Sequence, residues 1–225
     1  MFYKKEKKDY VFKRLDALLK PQGYRVFNKR GAVPTYLLNK EDIGVRFYFA
    51  FKDAGDIDIS ELQVSIKIVE EITLEIGHPE DIYSDIDYKK NILPTIVDNF
   101  EIPGLYRGIG YRVNTQKDLE TFTNFLVHYL ETDAPKFIET YTYLPNVLKK
   151  MDELTAQGKY WHEILSGSAD YLFRGLIISK LCNDPNYNEK IKYTDKLFYD
   201  KPDEWIPYYE KLKERLKSVE PKYNI

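Results

Sequence analysis

The chain has one cysteine, Cys182, in 225 residues. That excludes an intramolecular disulfide and any multi-cysteine metal cluster, and it fits a reducing compartment. Histidine is nearly as scarce: His78, His128 and His162 share no ligand spacing, so each reads as a structural or surface side chain rather than a zinc ligand. No Gly-x-Ser-x-Gly elbow and no EF-hand frame occur. Nor is there a glycine-rich phosphate cradle, since Gly108-Ile-Gly110 falls inside a strand pattern. Long apolar runs are also missing. Residues 1–14 carry charge without a signal-peptide core, and no stretch reaches the length of a membrane span. The expectation is a cytoplasmic chain with no membrane contact and no cofactor.

Aromatic residues are plentiful, with 20 Tyr and 12 Phe beside 2 Trp. Half-buried strand and helix positions are the plain source of such a count. Tyrosine also marks binding surfaces, because it offers contact area and a hydroxyl at small entropic cost. Charge is unevenly laid out under a net of only −2. Residues 1–52 hold 13 Lys and Arg against 5 Asp and Glu, whereas residues 53–88 hold 11 acids and one base, Lys67. The small net charge argues against nucleic-acid binding, and the N-terminal lysines share their helix with Glu6, Asp9 and Asp16.

Periodicity organises the chain into two regions. Val11, Phe12, Leu15, Leu18 and Leu19 recur at helical spacing over residues 5–20, and Pro21-Gln22-Gly23 stops them. Residues 24–39 read as two short strands around a turn. Val45, Phe47, Phe49 and Phe51 then alternate with polar neighbours, the mark of a strand with one buried face. Leu62, Val64, Ile66, Ile68, Ile72, Leu74 and Ile76 keep one parity, broken at Glu70, which predicts one long bent strand or two. A weakly patterned stretch with Pro94 and Pro103 leads to a last strand at residues 105–113. From Thr115 the period becomes helical: Thr115 with Asp118 forms an acidic capping box, followed by Leu119, Phe122, Leu126 and Tyr129. Pro135 and Pro145 each start or kink a helix, and further helices fall near 146–156, 169–182, 187–198 and 203–218.

The expected class is α+β: an N-terminal helix, a largely antiparallel sheet with a long helix packed on it, and an all-helical C-terminal extension. Residues 1–145 would form the α+β domain and 146–225 the helical extension, packed with it or separate. The order Phe12, Leu15, Leu19, Gly23-Tyr24, then Phe47-Tyr48-Phe49-Ala50-Phe51, then Ala134-Pro135-Lys136-Phe137 in a long helix resembles a bacterial family known only as a domain of unknown function. The resemblance spans about residues 8–150. It implies an α+β fold and brings no catalytic residues.

Two sets of residues invite a functional reading. In residues 159–173, KYWHEILSGSADYLF, a helix over 160–166 would put His162 and Ser166 one turn apart on one face, with Glu163 elsewhere. A hydrolase would also need an oxyanion hole and an acid behind the histidine. The plainer reading is a junction: Gly158 precedes a short helix, Trp161 and Leu165 pack, and Gly167 ends it. The second set is the acidic stretch, with Asp53, Asp56, Asp58, Glu80, Asp81, Asp85 and Asp87 as candidate binding residues. Displayed on one surface, these acids would steer a basic protein partner, as an immunity-like or adaptor protein does. Paired internally with the basic N-terminal third, they would be structural. The function expected is therefore a noncatalytic interaction module, with a hydrolase or metal-dependent enzyme as the alternative. No metal site is assigned.

Overall fold

The computed structural model describes residues 4–31, 33–52, 56–83, 90–100, 111–200 and 204–225. Helix α1, Lys4–Leu19, is followed by strands β1, Arg25–Phe27, β2, Thr35–Asn39, β3, Ile43–Phe51, and β4, Ile57–Ile66. Helix α2, Lys67–Ile76, leads to β5, Ile96–Asp98. Then come α3, Gln116–Tyr141, α4, Leu144–Ala156, α5, Asp170–Leu181, α6, Tyr187–Tyr199, and α7, Ile206–Leu216. This is the α+β class read from the sequence. No described helix is long and apolar enough to cross a membrane.

The strands pair antiparallel in chain order, β1-β2-β3-β4-β5. Side chains alternate between faces, so the register sorts them. Tyr36 opposite Phe47, and Val45 opposite Val64, lie on the face covered by α1. Phe12 of that helix packs on Tyr36 and Phe49 at 6.2 and 6.0 Å between ring centroids. Helix α3 lies beside α1, tied to it by Arg14 and Asn124 at 3.1 Å. Its start is the capping box seen in the sequence: the Asp118 N–H donates to the Thr115 hydroxyl at 3.1 Å, and the Thr115 N–H donates back to the Asp118 carboxylate at 2.9 Å. Pro135 sits within α3, and Pro145 opens α4.

Three features depart from the sequence reading. The run after Ile66 is not strand but α2, burying Val69, Ile72, Thr73 and Ile76 at helical spacing. Its even-numbered isoleucines satisfied both periods, and the buried odd-numbered Val69 and Thr73 are what only a helix accommodates. Strand β5 went unrecognised because three residues carry too little pattern. Of the strand expected at 105–113, residues 105–110 lie outside the described residues, and Tyr111 bridges to Ile57.

On the opposite face α2 meets α5 and α7. Helix α5 is the hub: it touches α2, α4, α6 and α7, and ten of its 12 residues are buried. One hydrophobic core runs from Val11 in α1 through the sheet to Val219.

Candidate functional site

Residues 161–163 form a single 3-10 turn, and the chain then straightens. Ile164, Leu165 and Ser166 lie along the outer edge of β5: the Val97 N–H donates to Ile164 O at 3.0 Å and the Ser166 N–H donates to Thr95 O at 2.9 Å. Because the helical turn ends at Ile164 and Leu165 bridges to Ile96, His162 and Ser166 do not share a helix face. The His162 ring sits 5.7 Å from those of Tyr160 and Tyr171, Glu163 reaches Lys159 at 3.6 Å, and no hydrogen bond joins His162 to Ser166. Trp161 and Leu165 are buried, as the junction reading required. Gly167 makes the corner into α5 with φ of +112°, in the left-handed region that glycine enters freely. A Cβ there would also run into the Asp170 carboxylate.

That corner places Asp170 at the first position of α5, where its Oδ1 accepts the Ser168 N–H at 2.9 Å. Arg174 follows one turn later and is 1% exposed. Its Nε and Nη2 donate to the two oxygens of Glu70, at 2.9 and 2.8 Å. Its Nη1 donates to Asp170 and, at 3.1 Å, to the Ser166 carbonyl. Glu70, also 1% exposed, accepts from the Thr95 hydroxyl at 2.6 Å, and the Tyr83 hydroxyl donates to Asp170. The Thr95 oxygen in turn accepts the Ile66 N–H at 2.8 Å. One guanidinium thereby gathers β4, α2, the 78–83 turn, the approach to β5 and α5. A bidentate pair is the geometry that suits arginine to burial with a carboxylate.

The titration of these groups follows from burial and partners. Burial pushes the Asp170 carboxyl up, but Arg174 and the Tyr83 hydroxyl more than offset it and hold it below its ordinary 3.8. Complete burial raises Glu70 against the pull of Arg174 and Thr95. Arg174 stays charged: burial lowers its value, and the two carboxylates raise it well beyond.

Above this network lies a cleft of about 470 Å³. Its aromatic wall is His78, edge-on to Trp205 at 4.5 Å and to Tyr83 at 5.1 Å. The Glu80 N–H donates to His78 Nδ1 at 3.1 Å, which orients the ring. Ser166, Gly167 and Ser168 line one side, and Glu80 and Glu204 stand exposed at the mouth beside Ile82. Ile82 is an apolar side chain left 55% exposed. Neither Glu80 nor Glu204 has an ion-pair partner among the described residues. In the cleft no serine hydroxyl is hydrogen-bonded to an imidazole, and the described residues hold no group of three or more His, Cys, Asp or Glu able to bind a metal ion.

The acidic candidates do not share one place. Glu80 lines the cleft, and Asp81 lies exposed in the same turn with φ of +52°. Asp58 pairs with Lys52 at 2.6 Å at the far end of the sheet, with half-buried Asp56 two residues before it. Asp53, Asp85 and Asp87 lie outside the described residues. Sequence reasoning missed Glu70, Arg174, Thr95 and Tyr83. One signal was present: Glu70 is the single charge that breaks the apolar parity of residues 62–76. No family model, curated protein or solved structure matched the chain, so the reading of this site rests on its geometry.

Proposed function

We propose that the protein is a cytoplasmic, noncatalytic interaction module, of the immunity or adaptor kind, which takes a basic segment of a protein partner into the cleft beside α5. One observation carries this reading. Among the described residues the cation lining the cleft, Arg174, is spent on Glu70 and Asp170, while Glu80 and Glu204 at its mouth pair with no described cation. Among the described residues the cleft therefore presents unpaired carboxylates over a wall of His78, Tyr83 and Trp205. A lysine or arginine entering it meets carboxylates at the rim and aromatic surface behind them, the combination that favours a cation with an apolar stem. Ile82 adds an exposed apolar contact, and charge of one sign would speed the encounter.

Glu80→Lys with Glu204→Lys reverses the rim without touching the buried network. Native capture followed by mass spectrometry should find a stoichiometric basic protein on the wild-type chain. The reversed variant and wild type in high salt should lose it, with the melting temperature of the variant unchanged. Equal retention by both chains would remove the cleft from the reading. The acidic residues at the sheet's far end, Asp56 and Asp58, serve as the internal control, since their reversal should leave capture intact.

A further inference from the structure

A second cleft opens on the other side of Glu70, and it has different chemistry. Helix α2 covers the outer face of the sheet's centre but leans away from β1 and β2, leaving about 520 Å³ between them. Lys67, Glu71 and Leu74 recur on one side of α2 at spacings of four and three. Facing them are Arg25 and Leu37, which are register partners on adjacent strands and so share the sheet's outer face. The volume is in the range of small-molecule sites.

The charges of this cleft are not equally available. Glu70 is saturated by Arg174 and Thr95, and the Lys67 ammonium is turned onto the Lys40 carbonyl, which directs its donor away while leaving its charge on the α2 wall. Arg25 and Glu71 are both exposed, line the same cleft, and make no hydrogen bond or ion pair, with each other or with any described residue. Opposite charges on the two walls that do not reach each other leave a gap for a molecule carrying both. Leu37, which is buried, and half-buried Leu74 supply apolar surface beside that gap.

We propose that this cleft binds a small zwitterion with an apolar body, a free apolar amino acid or its dipeptide. The carboxylate sits on the Arg25 guanidinium and the ammonium at Glu71, with the side chain against Leu37 and Leu74. Arginine presents a planar fork of donors that matches a carboxylate. An apolar monoanion would gain Arg25 but be repelled by Glu71, and an apolar amine would gain Glu71 but be repelled by Arg25. The zwitterion alone meets both Arg25 and Glu71 with opposite charges, and the charge remaining on Lys67 adds to the pull on its carboxylate. The site is independent of the cleft beside α5, and binding here requires no partner there.

The test is a titration of isotope-labelled protein, followed by amide shifts, with L-leucine and L-leucyl-L-leucine as probes. N-acetyl-L-leucine and L-leucinamide, with their dipeptide counterparts, each remove one charge. At least one zwitterion should give saturable shifts at Arg25, Leu37, Glu71 and Leu74, weakened about tenfold or more when either charge is capped. Arg25→Glu and Glu71→Arg should each abolish the shifts, and the two together should restore them, a rescue that mere surface disturbance would not give. Both side chains are exposed, so these variants leave the core intact, and unchanged melting checks this. Capped probes binding as tightly as the zwitterion would overturn the proposal. So would the absence of saturable shifts at about 10 mM of both zwitterions, or a charge-swapped double variant that fails to bind.

Discussion

At the scale of single residues, Arg174 joins more of the chain than any side chain around it. Two carboxylates share it inside the protein, and both are almost wholly withdrawn from water. Such a cluster is not by itself a large source of stability, because desolvation consumes much of the Coulombic gain; removing its cation is another matter. Arg174→Met should destabilise the fold by about 3–5 kcal/mol at neutral pH, since it leaves Glu70 and Asp170 buried without a counter-charge. The cost should shrink in acid. In the wild type Asp170 is depressed below 3.8, so its contribution is present above that value and is lost as pH falls through the lower folded value. In the variant the same carboxyl would be raised, so folding would be favoured by protonation and penalised as pH rises. Urea unfolding of both chains from pH 7 down to about pH 3 should therefore show the two stabilities converging. A gap that stays constant would mean that Arg174 acts through packing alone. Of this cluster the sequence disclosed only that Glu70 was out of place, because its partner is 104 residues away and nothing local announces a pairing at that distance.

At the scale of elements, α5 is buried on nearly every side, so its packing depends on small residues where neighbours press close. Gly175 is such a place. A Cβ there would lie 2.5 and 2.7 Å from Trp161 Cε3 and Cζ3 and 3.0 Å from Met151 Cε. The Trp161 indole is itself anchored, its Nε1–H donating to the Thr155 hydroxyl at 2.9 Å, so it cannot swing aside without losing that bond. Gly175→Ala ought to gain about 1 kcal/mol from helix propensity. Overpacking of about 1–3 kcal/mol should outweigh it. The expected net is a lower urea midpoint with a changed near-ultraviolet signal from Trp161; a higher midpoint would show that the indole has room to move. Local pattern sufficed for elements with a strong period, such as α1 and the Thr115 cap of α3. It failed for α2, where alternation and helical spacing coincided, and for the edge segment 164–166, whose strand character is imposed by β5 some 70 residues earlier in the chain.

At the scale of the whole molecule, the acidic block of the sequence pairs, among the described residues, with more than the basic block beside it. Within the basic third, Lys20 and Lys29 turn to Asp16 of their own block at 2.7 and 2.8 Å, while Lys52 meets the acidic block at Asp58. Glu70 and Glu75 instead find Arg174 of α5 and Arg215 of α7. The acids of residues 53–88 are thus partly a docking face for the C-terminal helices. The same helices supply the segment that pairs with β5 and the residues that continue the core. A boundary near residue 145, where the α+β region was expected to end, would cut through all of these contacts. A chain ending at residue 145 would leave Glu70 buried against nothing, expose Val69 and Ile76 of α2, and open β5 as an unpaired edge. It should show no cooperative unfolding and should aggregate, whereas the full chain should unfold in one transition. Cys182 reports on this directly. It is fully buried, and burial pushes its thiol up to about 12, so a disulfide reagent should reach it only when the core opens. Coincidence of its labelling with the loss of tryptophan fluorescence and of helical ellipticity would establish one cooperative unit. Labelling that precedes the loss of sheet and α1 structure would mean that the C-terminal helices open first, and that their contacts with Glu70 and β5 are docking rather than part of the fold.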